Sequence, residues 1–204
     1  MFVCAGINPY RLDEVYLGKL RSLAREQRII GFKIYAGYYH FQVHDPVYSP
    51  VYALADEFNL PVAIHSGDTF AETALLEYAQ PLSIDRLAVQ WREVTFIICH
   101  MGSPWIYDAT EVAFKNRNVY MDMSGLALGN AAEITNLTES NYWVDRYQDA
   151  LDYLNDCDKL LFGTDWPLVP MNAYIGYIKK IIPERFWDQV FYANARKVYK
   201  LPIL

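Results

Sequence analysis

The chain of 204 residues has few cysteines, few basic residues and no long apolar run. Its three cysteines, Cys4, Cys99 and Cys157, lie far apart in largely apolar settings. An odd, scattered set is a poor disulfide framework, so reduced thiols in a cytoplasmic protein are expected. No Cys-x-x-Cys occurs, which excludes a zinc ribbon. Basic residues number 18 against 24 acidic ones, for a net charge of −6. That balance offers nothing to a nucleic-acid backbone or an anionic membrane, and neither partner is expected. No uninterrupted apolar stretch approaches the ~20 residues of a membrane helix. The start, Met1-Phe-Val-Cys-Ala5, has neither a basic region nor a long apolar one, so no signal peptide is expected. Asn136-Leu-Thr138 matches a glycosylation sequon, which carries no weight without a secretion signal.

What is present is core-forming material. Apolar residues make up 53% of the chain and aromatics 16%, which excludes a disordered or low-complexity protein. A chain of this length builds a core without disulfides, and a single domain over 1–204 is expected. Short β-rich runs alternate with longer amphipathic ones. The runs 2–6, 29–35, 61–65, 95–100, 119–124 and 159–165 read as strands. Leu12, Val15, Tyr16, Leu20, Leu23 and Ala24 recur at helical spacing. Further helices are expected over 51–58, from Ser83 as N-cap to Trp91, over 108–116 and over 144–155. The rest of the helical pattern falls around 174–182, 184–191 and 194–200. A longer insertion, 126–142, interrupts the rhythm. Six strands alternating with helices predict a parallel α/β sheet or barrel. The strands read as apolar throughout, as expected for a sheet covered on both faces.

The polar residues fall at particular places on these strands. Lys33 lies within the second strand, His65 ends the third, His100 ends the fourth, Asp122 lies in the fifth and Asp165 ends the sixth. The carboxyl ends of parallel strands share one face, and sites form there. His65, His100 and Asp165 are therefore expected to converge. Two imidazoles and a carboxylate suit zinc, manganese or iron, or an acid–base site, and the residue types alone do not choose.

Pro61-Val-Ala-Ile-His-Ser-Gly67, Phe96-Ile-Ile-Cys-His-Met-Gly102 and Leu161-Phe-Gly-Thr-Asp-Trp-Pro167 resemble motifs of the amidohydrolase-related family, amidohydrolase 2 type. This branch includes the aminocarboxymuconate-semialdehyde decarboxylase-like metal-dependent hydrolases. Gly31-Phe-Lys-Ile-Tyr35 resembles that family's fourth strand, and Asn194-Ala-Arg-Lys-Val-Tyr199 its closing helix.

The resemblance implies a TIM-barrel-like (β/α) fold corresponding to barrel strands 3–8. It implies metal ligation by His65 and Asp165, with zinc as the expected ion and manganese or iron as alternatives. Catalytic roles fall to His100 and Asp165, and Lys33 forms an ion pair or touches substrate. Apart from the resemblance, His40 and His44 lie in the loop after the second strand of this chain, at the same face, where substrate contact is expected, and Tyr35 and Trp166 are placed to line an aromatic pocket. The family's first strand carries a His-x-His pair, and no such pair occurs in this sequence. The resemblance therefore accounts for six of eight barrel units and half of the expected protein ligands.

The activity implied is metal-dependent hydrolysis of a small carboxylate, ester, lactone or amide, with non-oxidative decarboxylation as the alternative. A truncated, catalytically incompetent fragment and a non-enzymatic binding protein are the remaining readings. Two barrel edges left unpaired would favour a homo-oligomer.

Overall fold

The computed structural model describes residues 2–202. Six strands, β1 (Cys4–Gly6), β2 (Gly31–Ile34), β3 (Val62–Ile64), β4 (Phe96–Ile98), β5 (Val119–Asp122) and β6 (Leu160–Leu161), form one parallel sheet in sequential order. The register aligns Lys33 with Ala63 and Ala63 with Ile97. The helices are α1 (Glu14–Arg25), α2 (Ser49–Phe58), α3 (Leu82–Gln90), α4 (Ile106–Lys115), α5 (Ala131–Glu139), α6 (Val144–Leu154), α7 (Met171–Ile181) and α8 (Asn194–Val198). Among the described residues no helix is long and apolar enough to cross a membrane. All three cysteines are free.

The two faces of the sheet differ. Phe32, Ile34, Val62, Ile64, Phe96, Ile98, Val119, Met121 and Leu160 share the main core with the helices. The alternate positions Ala63, Ile97, Cys99 and Leu161 form a separate small cluster, on which Val198 of α8 and the following Tyr199 pack. Side chains alternate across a strand, so Lys33 and Asp122 belong to this second face. Both faces carry apolar side chains, but the charged Lys33 and Asp122 both lie on the second one. A one-residue slip of register would exchange the two sets.

Local sequence explains most boundaries. Asp13 caps α1 by accepting from the Tyr16 N–H at 2.8 Å. Asn59, in the left-handed conformation, ends α2. Ser83 does not cap α3 as expected. The helix starts at Leu82, after Pro81, and the Ser83 hydroxyl bonds back to the Gln80 carbonyl. The insertion at 126–142 contains α5, which the sequence reading left without a helix. Its signal is a capping box: Asn130 accepts from the Ala132 and Glu133 N–H groups, and the Glu133 carboxylate accepts from the Asn130 N–H. The stretch expected as a helix over 184–191 is a 3-10 turn at Glu184–Phe186, followed by a π-helical turn at Gln189–Ala193. The Phe162 N–H donates to Val190 O in that turn, so the turn covers the end of β6.

Candidate active site

The carboxyl ends of the strands open into a cavity of about 1140 Å3 whose lining includes Lys33, Tyr35, His65, His100 and Asp165. The residues expected to converge at this mouth do so.

His100 follows β4 in a left-handed conformation, φ 60. A side chain that is not glycine reaches that region at a cost, and such outliers concentrate at functional sites. The backbone N–H of His100 donates to Asp122 Oδ1 at 3.1 Å. Its Nδ1 lies 3.0 Å from Ser124 O and 2.9 Å from Ser124 Oγ. A carbonyl only accepts, so Nδ1 carries the proton. The Ser124 hydroxyl in turn donates to Asp122. This network fixes the ring tautomer and leaves Nε2 free for acid–base work.

Asp122 lies beneath this network, half-buried. Burial pushes its carboxyl up, but His100, Lys33 and the hydrogen bonds outweigh that and hold it below the ordinary carboxylate range. Lys33 reaches the same place from β2. Burial opposes its charge, but Cys99 and Asp122 overcome that and raise its pKa, so it is a cation. Its Nζ lies 2.7 Å from Cys99 Sγ and 5.7 Å from the centre of the Tyr35 ring.

His65 follows β3 and is 7% exposed. Its ring meets those of Tyr38 and His100 edge to face, each at 5.0 Å between centres. Nε2 donates to the Asp68 carbonyl at 2.9 Å. Burial, with His100 and Lys33 adding repulsion, pushes its pKa down to about 3, so the ring is neutral at physiological pH.

Asp165 follows β6, is exposed, and has φ 59. Gly125 lies between it and His100. A Cβ at Gly125 would sit 2.9 Å from His100 Nδ1 and 3.4 Å from Asp165 Oδ2. Gly67, two residues past His65, has φ +105, and a Cβ there would come within 2.1 Å of Ser103 O. Both loops need glycine to bring the strand ends together.

Three expected substrate contacts lie elsewhere. His40 Nε2 pairs with the Thr73 carbonyl at 3.1 Å, and its ring stacks on Tyr78. His44 is outside the cavity lining and holds a buried, unpartnered Nδ1. Trp166 is also outside the lining and is 75% exposed, because the chain turns outward after Asp165. The sequence reading in turn missed wall residues. Leu137 of α5, with Tyr142, Trp143 and Tyr147, lines the cavity. The capping box that starts α5 was the available signal.

Two donors, His65 and Asp165, were expected to hold a divalent ion. Among the described residues no group of three or more His, Cys, Asp or Glu is arranged to hold a metal. Zinc sites require at least three protein ligands, and the Nε2 of His65 is spent on Asp68. The described residues therefore do not fit a complete metal centre, and an ion here would need further donors.

Comparison with known proteins accords with this geometry. Residues 13–201 match the family model described as amidohydrolase. No curated protein matches the chain. An uncharacterized TIM-barrel protein from Bordetella bronchiseptica superposes with a TM-score of 0.70 at 19% identity, over 98% of this chain and 65% of that one. A 2,6-dihydroxybenzoate decarboxylase in complex with 2,6-dihydroxybenzoate gives 0.69 at 16% identity, over 97% and 70%. A 5-carboxyvanillate decarboxylase from Novosphingobium aromaticivorans, complexed with manganese and 4-hydroxy-3-methoxy-5-nitrobenzoic acid, gives 0.68 at 14% identity, over 96% and 63%. The chain thus spans less than two thirds of the first of these proteins, and its six strands form a partial TIM barrel. The family match over nearly all of its length and the shared fold show that this chain belongs to the amidohydrolase family.

Proposed function

We propose that this chain carries the acid–base part of a carboxy-lyase site for a small aromatic carboxylate. The observation that carries the reading is the half-buried chain Asp122–Ser124–His100, which leaves an imidazole nitrogen free beside an aromatic-walled cavity. Tyr35, Tyr38, Tyr39 and Trp105 offer flat apolar surface to a ring, and the Lys33 cation offers a partner to its carboxylate. In its imidazolium form His100 delivers the Nε2 proton to the ring carbon as the carbon–carboxylate bond breaks; the bonding electrons pass to that carbon, carbon dioxide leaves, and a proton taken up from water at the cavity mouth restores the imidazolium. Positioned acid–base groups of this kind contribute about 100- to 10,000-fold. Two of the structural neighbours are decarboxylases of hydroxylated aromatic acids, which supports the substrate class.

The test is release of carbon dioxide from 2,6-dihydroxybenzoate and 5-carboxyvanillate, with and without added manganese or zinc. Turnover that falls at least ~100-fold in His100→Ala is the expected result. No carbon dioxide under any metal loading, with the folded protein verified by circular dichroism, overturns it. A second reading, a binding protein on the same fold, is favoured by the two-donor metal set. Saturable binding of the same acids without turnover would establish that reading.

A further inference from the structure

One contact at this site is unlike the others. Lys33 Nζ and Cys99 Sγ approach to 2.7 Å. Sulfur is larger than oxygen, so an ordinary N–H···S contact is longer than the N–H···O range of about 2.7–3.2 Å. This separation is that of a nitrogen and a sulfur joined through one shared oxygen atom. The fold imposes the approach. Lys33 on β2 and Ile97 on β4 both align with Ala63 on β3, and Cys99 lies two residues beyond Ile97, on the same face. On the intervening strand Ala63 offers only a methyl group beside the lysine stem. Cys99 is 3% exposed, while Lys33 lines the cavity, so the cavity side gives a small oxidant its approach to the pair.

We propose that Lys33 and Cys99 form a covalent N–O–S link under oxidation by a peroxide, a modification site that couples β2 to β4. The chemistry balances with two equivalents of hydrogen peroxide. The first oxidises the Cys99 thiol to a sulfenic acid: an S–O bond forms, the O–O bond breaks and water leaves. The Lys33 ammonium releases a proton to water, and the second equivalent oxidises the neutral amine to a hydroxylamine, again with loss of water. The hydroxylamine oxygen then attacks the sulfenic sulfur and expels the third water. Sulfur and nitrogen are both oxidised and both peroxides are reduced; four thiol equivalents, leaving as two disulfides with one water, restore the free amine and thiol. The link turns a cation at the cavity floor into a neutral group, so it removes the charge offered to an anionic ligand. Cys4 and Cys157 lack this geometry: the first has Tyr199 as its side-chain partner and the second lies near Asp156 and Arg185.

The experiment is peptide mass spectrometry of the purified chain after treatment with hydrogen peroxide. The expected product gains one oxygen and loses two hydrogens. It joins the peptides holding Lys33 and Cys99, and dithiothreitol separates them. It persists in the Cys4→Ser, Cys157→Ser double variant and disappears in Lys33→Arg. Unlinked sulfinic or sulfonic acid at Cys99 overturns the proposal, as does an unmodified Cys99 at peroxide levels that oxidise exposed methionine. The mapping on the unmutated chain decides the matter even if a variant fails to fold.

Discussion

His100 and Asp165 hold the same left-handed backbone conformation, with φ of 60 and 59, and their side chains flank Gly125. Each follows a strand of the sheet, and both turn the chain at the cavity mouth. Two candidate catalytic residues in a disfavoured region implicate their loops in placing side chains rather than in connecting elements.

Gly125→Ala tests that arrangement. Gly125 has φ +63, and its new Cβ would stand 2.9 Å from His100 Nδ1. The left-handed conformation alone costs about 1–2 kcal/mol for a residue with a Cβ. Urea unfolding is expected to show at least that loss, and the carbon dioxide assay a fall in turnover. An unchanged midpoint would mean that the loop relaxes freely.

Tyr174 holds the neighbouring loop from below. Its fully buried hydroxyl accepts from the Leu126 N–H at 2.9 Å and donates to Met123 O, bracketing Ser124 and Gly125. Tyr174→Phe leaves both backbone groups unpaired in the core, which costs about 1–3 kcal/mol. The midpoint of urea unfolding is the measurement, and a loss under a few tenths of a kcal/mol would contradict the assignment.

Asp85 gives the pH dependence. Partial burial pushes its carboxyl up, but Lys115 and Asn116, at 2.6 and 2.7 Å from Oδ1, bring it below 3.8. A depressed folded pKa contributes stability above the unfolded value and loses it as pH falls through the folded one. Asp85→Asn is therefore expected to cost about 0.5–1 kcal/mol at neutral pH, a modest figure because the pair is solvated. The difference from the unmutated chain should close in acid. A difference that stays constant down to pH ~2 would remove the ion pair as its cause.

Among the described residues β1 has a neighbour on one side only, and Phe2 and Val3 beside it are exposed. Open strand edges template association, so light scattering is expected to give a mass above one chain at high concentration. Val3 O and Ile7 N bond toward β2, so by alternation the Gly6 N–H faces the open side. Gly6→Pro should weaken the association without removing a β1–β2 bond. A monomer at every concentration would show that this edge is not used.

The sequence alone determined the order of elements and the identity of the strand-end residues. Periodicity and turn chemistry are local properties, and six β–α units in series leave little choice but a parallel sheet with its polar residues at one end. His65, His100 and Asp165 were legible for that reason. Tertiary structure decided which loop residues turn inward. His40 and Trp166 are as suitable in type as Tyr35, yet one is held by Thr73 and the other points to solvent. It also decided the roles of Ser124, which fixes the His100 tautomer, and of Cys99, which meets Lys33 across Ala63. Those relationships join residues on different strands, and only the register of the sheet brings them within reach.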